Sequence, residues 1–337
     1  MTSILIVVLN WNGINDTEKC VASLIDQDYT DYKILIVDNG SRDDSVARIE
    51  KLVAKNPDRI VTIANEKNLG FAGGVNTGIK YALTHNFDAV ALFNNDATAD
   101  PRWLSSLEKK LTGETSIATG LLLHADGKTI DSTGDFYSSW GIGFPRNRDQ
   151  PVSAAPDSGY VFSASGGASL YKTALFEEIG LFDEKFFAYY EDTDISFRAQ
   201  LAGHKICYTK DAIAYHEQGA TSKKIPGFTV YQTFKNLPLL FWKNVPTKLL
   251  PKVGLRFILL YTLIFGNSIK NGVGLPALKG LLASIWYFWT SALWDRFDIQ
   301  QRKKVSADYI WSILYHDLPP EQTGMRKFRD IFIKSNR

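Results

Sequence analysis

Ser3-Ile4-Leu5-Ile6-Val7-Val8-Leu9, followed at once by Asn10-Trp11-Asn12-Gly13, decides the fold class. An apolar run rich in β-branched residues, broken abruptly by polar ones, is the pattern of a strand buried on both faces in a parallel sheet. A helix-like segment follows over about 16–27, and Lys33-Ile34-Leu35-Ile36-Val37 then repeats the strand pattern, ending at Asp38-Asn39-Gly40-Ser41. Asp43 and Asp44 stand where a helix start would place them. A third strand over Ile60–Ile63 leads into the glycine-rich Asn65–Gly74 segment, then a helix over about 75–84 and a strand over Ala89–Phe93. Strand–helix alternation predicts an α/β fold, a mostly parallel central sheet with helices on both faces. Each polar cluster comes just after a strand, where open α/β sheets hold their ligands.

Beyond residue 97 the pattern loosens. His124–Arg148 reads as loops with short strands, and Ser163–Ala168 as small-residue punctuation before an apolar run. Thr173–Ile179 reads as a helix closed by Gly180, and Ile195–Leu201 as another stopped by Gly203.

The chain has 337 residues, 45% hydrophobic and 22% charged, which excludes a disordered protein. Cys20 and Cys207 form neither a CxxC motif nor a disulfide framework. The N-terminus lacks a basic segment leading to a small-residue cleavage site, and a reducing, cytoplasmic setting is expected. Charge is unevenly spread. Residues 1–222 carry 20 Lys and Arg against 30 Asp and Glu, a balance of −10; residues 223–337 carry 18 against 6, a balance of +12. No acid occurs between Glu217 and Asp295, a region containing Trp242, Trp286, Trp289 and Trp294. We therefore divide the chain into a catalytic domain, 1–222, and a basic, aromatic-rich helical region, 223–337.

The apolar runs Phe257–Gly266 and Leu281–Trp294, of 10 and 14 residues, are shorter than the ~20 that cross a bilayer. Two readings of the second region stand side by side. One is an ordinary packed core. The other is peripheral attachment to an anionic membrane surface on the cytoplasmic face, with Lys243, Lys248, Lys252 and Arg256 meeting lipid. Aromatic apolar runs fit lipid better than phosphate tracking, so no nucleic-acid partner is expected.

Four motifs carry candidate chemistry. Phe186-Phe187-Ala188-Tyr189-Tyr190-Glu191-Asp192-Thr193-Asp194 sets acids beside aromatics, a costly arrangement unless a cation or a proton-transfer task compensates. Such acids also suit a helix start, and Asp194 is spaced to pair with Arg198. Asn94-Asn95-Asp96 has the spacing of an Asp-x-Asp metal motif with Asn first, or is a polar turn. Asn68-Leu69-Gly70-Phe71-Ala72-Gly73-Gly74 is a ligand loop or a structural turn; it is no P-loop, because no Gly-Lys-Ser/Thr follows. His216 is a satisfied histidine or a metal or phosphate ligand. A nucleotidyltransferase would need a basic loop near the first strand, yet residues 8–16 hold no Lys or Arg. A binding module without turnover would not need Asp96, Glu191 and Asp192 together.

Taken in order, these motifs, with Val37-Asp38-Asn39-Gly40-Ser41, Gly166-Gly167-Ala168 and Tyr215-His216, resemble glycosyltransferase family 2, and more narrowly bacterial rhamnosyltransferases of surface-polysaccharide assembly. The resemblance covers about residues 3–220. It implies a GT-A fold, a dTDP- or UDP-sugar donor such as dTDP-L-rhamnose, Mg²⁺ or Mn²⁺, inversion at the anomeric carbon and a lipid-linked saccharide acceptor. By the same resemblance, Leu9 and Asn12 line the nucleotide pocket and Asp38 bonds the pyrimidine base. Asn68 and Gly70 lie near the ribose. Asn94 and Asn95 face the donor, and Asp96 binds the metal with Asn94 and His216. Asp192 is the base, Glu191 supports it, and Gly166, Gly167, Tyr189 and Tyr190 surround the reaction centre.

Overall fold

A computed structural model describes residues 1–217 and 225–319; the expected boundary at 222/223 and Lys223 and Lys224 lie outside them. The N-terminal part alternates β1 (Ile4–Asn10), α1 (Ile14–Ile25), β2 (Tyr32–Asp38), α2 (Ser45–Lys55), β3 (Ile60–Ala64), α3 (Gly70–Thr84) and β4 (Ala89–Asn94). It continues through β5 (Ala97–Ala99), α4 (Trp103–Glu108), β6 (Thr115–His124), β7 (Ile130–Ser132), β8 (Asp135–Tyr137), β9 (Gly143–Pro145) and β10 (Gly159–Tyr160). It closes with β11 (Ala168–Lys172), α5 (Thr173–Ile179), α6 (Glu191–Leu201) and β12 (Lys205–His216).

The main sheet runs β10-β12-β6-β11-β4-β1-β2-β3. Strands β4, β1, β2 and β3 are mutually parallel, as the alternation predicts. β11 enters antiparallel between β4 and β6, which makes the sheet mixed. Side chains of β1 separate by parity: Ile4, Ile6 and Val8 pack toward Cys20, Leu24 and Trp103, while Leu5 and Val7 pack toward Val75 and Ile79. The two-residue period of a strand thus fills two cores from one sequence run.

Helix α3 corrects the reading of the glycine-rich segment as a loop. It starts at Gly70 and takes Gly73 and Gly74 into its first turns. These glycines serve packing. A Cβ on Gly74 would strike Leu9, and one on Gly78 would lie 2.5 Å from a Val7 methyl. Only Gly70 is needed for its backbone, with φ of +73° and Phe187 directly against it.

The C-terminal helices are α7 (Phe228–Asn244), α8 (Leu250–Lys270), α9 (Gly274–Tyr287), α10 (Leu293–Gln301) and α11 (Ala307–Ile313). They share a core with the N-terminal part: Leu239, Leu240 and Val245 pack with Tyr137, Phe162, Phe186 and Phe197. With the turn before it, α8 gives a continuous helical stretch over Thr247–Lys270, 24 residues, long and apolar enough by composition to cross a membrane. The length argument from the separate apolar runs is therefore corrected. Lys252 and Arg256 interrupt the hydrophobic pattern without ending the helix.

Two of the expected lipid-facing cations also turn inward. Lys243 is 3% exposed and pairs with Asp183 and Asp194. Arg256 donates to Ser139 Oγ at 3.1 Å. The expected Asp194–Arg198 pair forms at 2.9 Å.

Candidate active site

One cavity of about 940 Å³ opens at the C-terminal ends of β1, β2 and β4. It gathers Leu9, Asn68, Gly70, Asn94, Asn95, Asp96, Gly166, Gly167, Tyr189, Tyr190, Glu191, Asp192 and His216 from the expected set. Asp38 and Asn12 stand apart from that lining. Asp38 is 2% exposed, and its carboxylate accepts from Asn10 Nδ2 at 2.8 Å and the Ser41 amide at 3.0 Å. Asn12 accepts from the Arg42 amide at 2.8 Å. Both residues hold the β1 and β2 turns together behind one wall of the cavity. The wall itself is Leu9, Trp11, Asn39 and Asn68. Asn39 donates to Asn68 Oδ1 at 3.1 Å and to the Gly70 carbonyl at 3.0 Å, fixing the start of α3 beside the strand ends.

At one side of the cavity Asp96 Oδ1 lies 3.0 Å from His216 Nε2, and Asn94 Nδ2 lies 3.4 Å from the same nitrogen. The other imidazole nitrogen, Nδ1, lies 2.7 Å from Asp131 Oδ2. Asp131 also takes Arg148 at 2.7 Å. Burial pulls the His216 pKa down, but its bonds to Asp131 and Asp96 outweigh that and raise it to about 9. Among the described residues no three His, Cys, Asp or Glu side chains are arranged to hold an ion on their own. The donor set fits an ion that takes most of its oxygens from a diphosphate and water: one carboxylate, one imidazole, and a carboxylate behind the imidazole.

On the other side Asp192 Oδ2 accepts from the Gly166 amide at 3.0 Å, and Oδ1 from the Thr193 amide at 2.7 Å. Helix α6 begins at Glu191, so the acids sit in its first turn rather than ahead of it. Burial raises the Asp192 pKa against those hydrogen bonds. Glu191 is raised well above its usual range by burial, then by Asp192, and its Oε2 has no hydrogen-bond partner among the described residues. The preceding loop is strained: Phe187, Tyr189 and Tyr190 have φ of 63°, 69° and 71°. Such backbone in non-glycine residues persists where the surroundings over-determine it.

Three lining residues have no sequence signal: Asp131, Asp135 and Arg148. Asp135 takes a hydrogen bond from Ser132 Oγ at 3.0 Å, and burial followed by the Asp192 charge pushes its pKa to about 7. All three lie in the irregular 124–148 segment, where pairing of β7 with β6 brings them to the cavity.

The family model for glycosyl transferase family 2 matches residues 3–180. The chain belongs to this family. Among curated relatives, the low-salt glycan biosynthesis hexosyltransferase Agl10 of Haloferax volcanii is 28% identical over 190 residues, 53% of this chain and 59% of that relative's length. The dTDP-rhamnosyl transferase RfbF of Shigella flexneri is 24% identical over 71% of this chain and 81% of its own. Among solved structures, S. aureus TarS 1-349 in complex with UDP aligns with a TM-score of 0.57 at 14% identity, covering 93% of this chain and 83% of that one. The mannosyltransferase PcManGT of Pyrobaculum calidifontis, in complex with GDP-Man and Mn²⁺, aligns at 0.52 and 13% identity, over 92% and 78%. These neighbours share the fold. The family 2 transferase described here is thus an α/β protein of GT-A type with a helical C-terminal region.

Proposed function

We propose that this family 2 member is an inverting glycosyltransferase that moves L-rhamnose from dTDP-L-rhamnose to a saccharide acceptor carried on a lipid. One observation carries the reading: Asp192, held by two backbone amides, faces a cavity whose other side bears Asp96 and His216. Asp192 takes the proton of an acceptor hydroxyl as that oxygen attacks the anomeric carbon from the face opposite the diphosphate. The bond from that carbon to the diphosphate breaks in the same step, which inverts the centre. Burial brings the Asp192 carboxyl toward the basicity this task needs.

Asp96 and His216 would hold Mg²⁺ or Mn²⁺, with Asn94 beside them and Asp131 fixing the imidazole. The ion, when bound, stabilises charge on the departing diphosphate. Asp131 and Arg148 keep that wall rigid through their ion pair. The rhamnosyl assignment rests on the relative named a dTDP-rhamnosyl transferase. A donor screen tests it, measuring nucleoside diphosphate release from dTDP- and UDP-sugars with and without Mn²⁺ or Mg²⁺. Fastest release from dTDP-L-rhamnose supports the reading. Preference for a UDP-sugar reassigns the donor, and no release from any sugar nucleotide leaves a binding module.

A further inference from the structure

We propose that the outer face of α8, α9 and α10 is a docking surface that inserts into one leaflet of an anionic phospholipid bilayer. The face is apolar and open. Leu255 and Ile258 on α8, Leu282 and Trp286 on α9, and Trp289 and Trp294 beyond it are all exposed, Trp294 at 75%. An exposed run of this kind on a folded protein marks an interaction site.

The inner faces of the same helices are committed to the protein. Phe257 stacks on Phe241 at 4.5 Å between ring centroids, and Tyr261 donates to the Phe234 carbonyl at 2.8 Å. Ala277, Gly280 and Ser284 are buried, and a Cβ on Gly280 would collide with the Tyr231 carbonyl of α7. A helix fixed along one flank to a folded domain can lie in the headgroup plane with the opposite flank in acyl chains. Tryptophan on that flank suits the boundary between tails and headgroups.

Charge selects the occupant. Lys248, Lys270 and Lys279 are exposed on these helices and the turn before them, and no acid occurs from 218 to 294. Anionic headgroups complement that pattern, each well-placed cation adding about 1 kcal/mol of attraction. A second copy of the chain would set like charges against each other across a two-fold contact. The surface also has a functional position. Phe228, Thr229 and Thr233 of α7 line the cavity, and Gly227, just before α7, lies against Pro276 of α9. Docking by this face brings the α7 wall of the cavity close to the lipid surface.

The test is flotation of the full chain, without donor or acceptor, on vesicles of phosphatidylcholine alone and of phosphatidylcholine with phosphatidylglycerol, at low and high salt. The wild type is expected on the anionic vesicles, weakened but retained at high salt. Trp286→Ser, Trp289→Ser and Trp294→Ser together should lower binding at least tenfold on both vesicle types. Lys248→Glu, Lys270→Glu and Lys279→Glu together should remove the anionic preference alone. Unchanged circular dichroism shows that each variant folds. A wild-type dimer by light scattering that ignores vesicles would overturn the proposal and make the face a contact between copies. Bound protein that resists alkaline extraction would overturn it in favour of a spanning helix. Because no sugar nucleotide is present, either result leaves the proposed transfer reaction standing.

Discussion

The side-chain amide of Asn236 lies 2.7 Å from the carbonyl oxygen of Tyr189, and the same nitrogen lies 2.9 Å from that of Ala188 and 3.0 Å from that of Phe186. Lys235 donates to the Phe186 carbonyl as well, at 3.1 Å. One turn of α7 thus gathers the carbonyls of the strained loop that leads into Glu191 and Asp192. The C-terminal helices hold this loop in shape.

Asn236→Ala should therefore act on chemistry more than on donor binding. Leaving these buried carbonyls short of a partner costs about 1–3 kcal/mol in stability. Relaxation of the loop should lower turnover tenfold or more while the donor KM stays near native. A steady-state comparison of kcat and donor KM checks this; an equal loss in both would assign Asn236 to the donor pocket.

Asp192 and Glu191 should separate on substitution. Asp192→Asn keeps the shape but cannot accept a proton, so turnover should fall by about 10²–10⁴ with donor affinity retained. Glu191→Gln should keep much of the activity, since burial and Asp192 favour the protonated, uncharged acid. Its effect on stability has a sign. A carboxyl whose folded pKa lies above its unfolded value binds its proton more tightly in the native state, so stability falls as pH rises from the unfolded value toward the folded one. Glu191→Gln should flatten that decline, which urea denaturation across pH 4 to 8 would reveal. A larger loss of turnover in Glu191→Gln than in Asp192→Asn would exchange the two roles.

The proposed metal site predicts graded damage. Asp96→Asn removes the carboxylate and should abolish nearly all turnover. Asp131→Asn leaves Asp96 and His216 in place but loosens the imidazole, which for such supporting carboxylates typically costs about 10–100-fold in metal affinity. The Mn²⁺ concentration for half-maximal diphosphate release should rise accordingly, and excess Mn²⁺ should restore the rate. Full activity of Asp96→Asn, or of the wild type in chelator, would be fatal to the assignment.

Much of this was readable in the chain because it is local. Apolar runs mark β1 through β4, and Thr173–Ile179 is the helix its caps announce. Glu191 and Asp192 announce themselves by charge beside aromatics. What stays hidden depends on long-range placement. Asp131 reaches His216 only because β7 folds back on β6, and Asp135 reaches the cavity through the same irregular segment. Asp38 is a base contact by resemblance, and sequence alone does not show that Asn10 and Ser41 bond its carboxylate. The glycines of α3 read as a ligand loop or a structural turn because sequence cannot show that β1 lies within van der Waals reach.

That last contact predicts a cost. Gly78→Ala places a methyl 2.5 Å from Val7 in a fully packed layer. Overpacking of this kind costs about 1–3 kcal/mol. Denaturant midpoints should drop accordingly at unchanged m-value, whereas an unshifted midpoint would mean that α3 moves away from β1 freely.

Lys243 is a buried keystone between the two parts of the chain rather than a lipid contact. It pairs with Asp183 and, at 3.1 Å, with Asp194, and Asn244 donates to the same Asp194 at 2.8 Å. Burial works against both carboxylates, yet Lys243, with Lys185 at Asp183 and Arg198 at Asp194, holds their pKa values below the usual range. Lys243→Met removes the cation shared by two buried carboxylates and leaves Asp183 to Lys185 and Asp194 to Arg198; breaking a buried pair costs up to about 3–5 kcal/mol. The sign with pH follows from the depressed values: the wild-type contribution is present above the unfolded carboxylate pKa of about 4 and disappears as pH falls through the folded values. The deficit of Lys243→Met should therefore be largest near neutral pH and shrink toward pH 3. Thermal melts of both proteins across that range measure it, and a variant as stable as the wild type at pH 7 would show that the ion cluster does not tie α7 to the catalytic part.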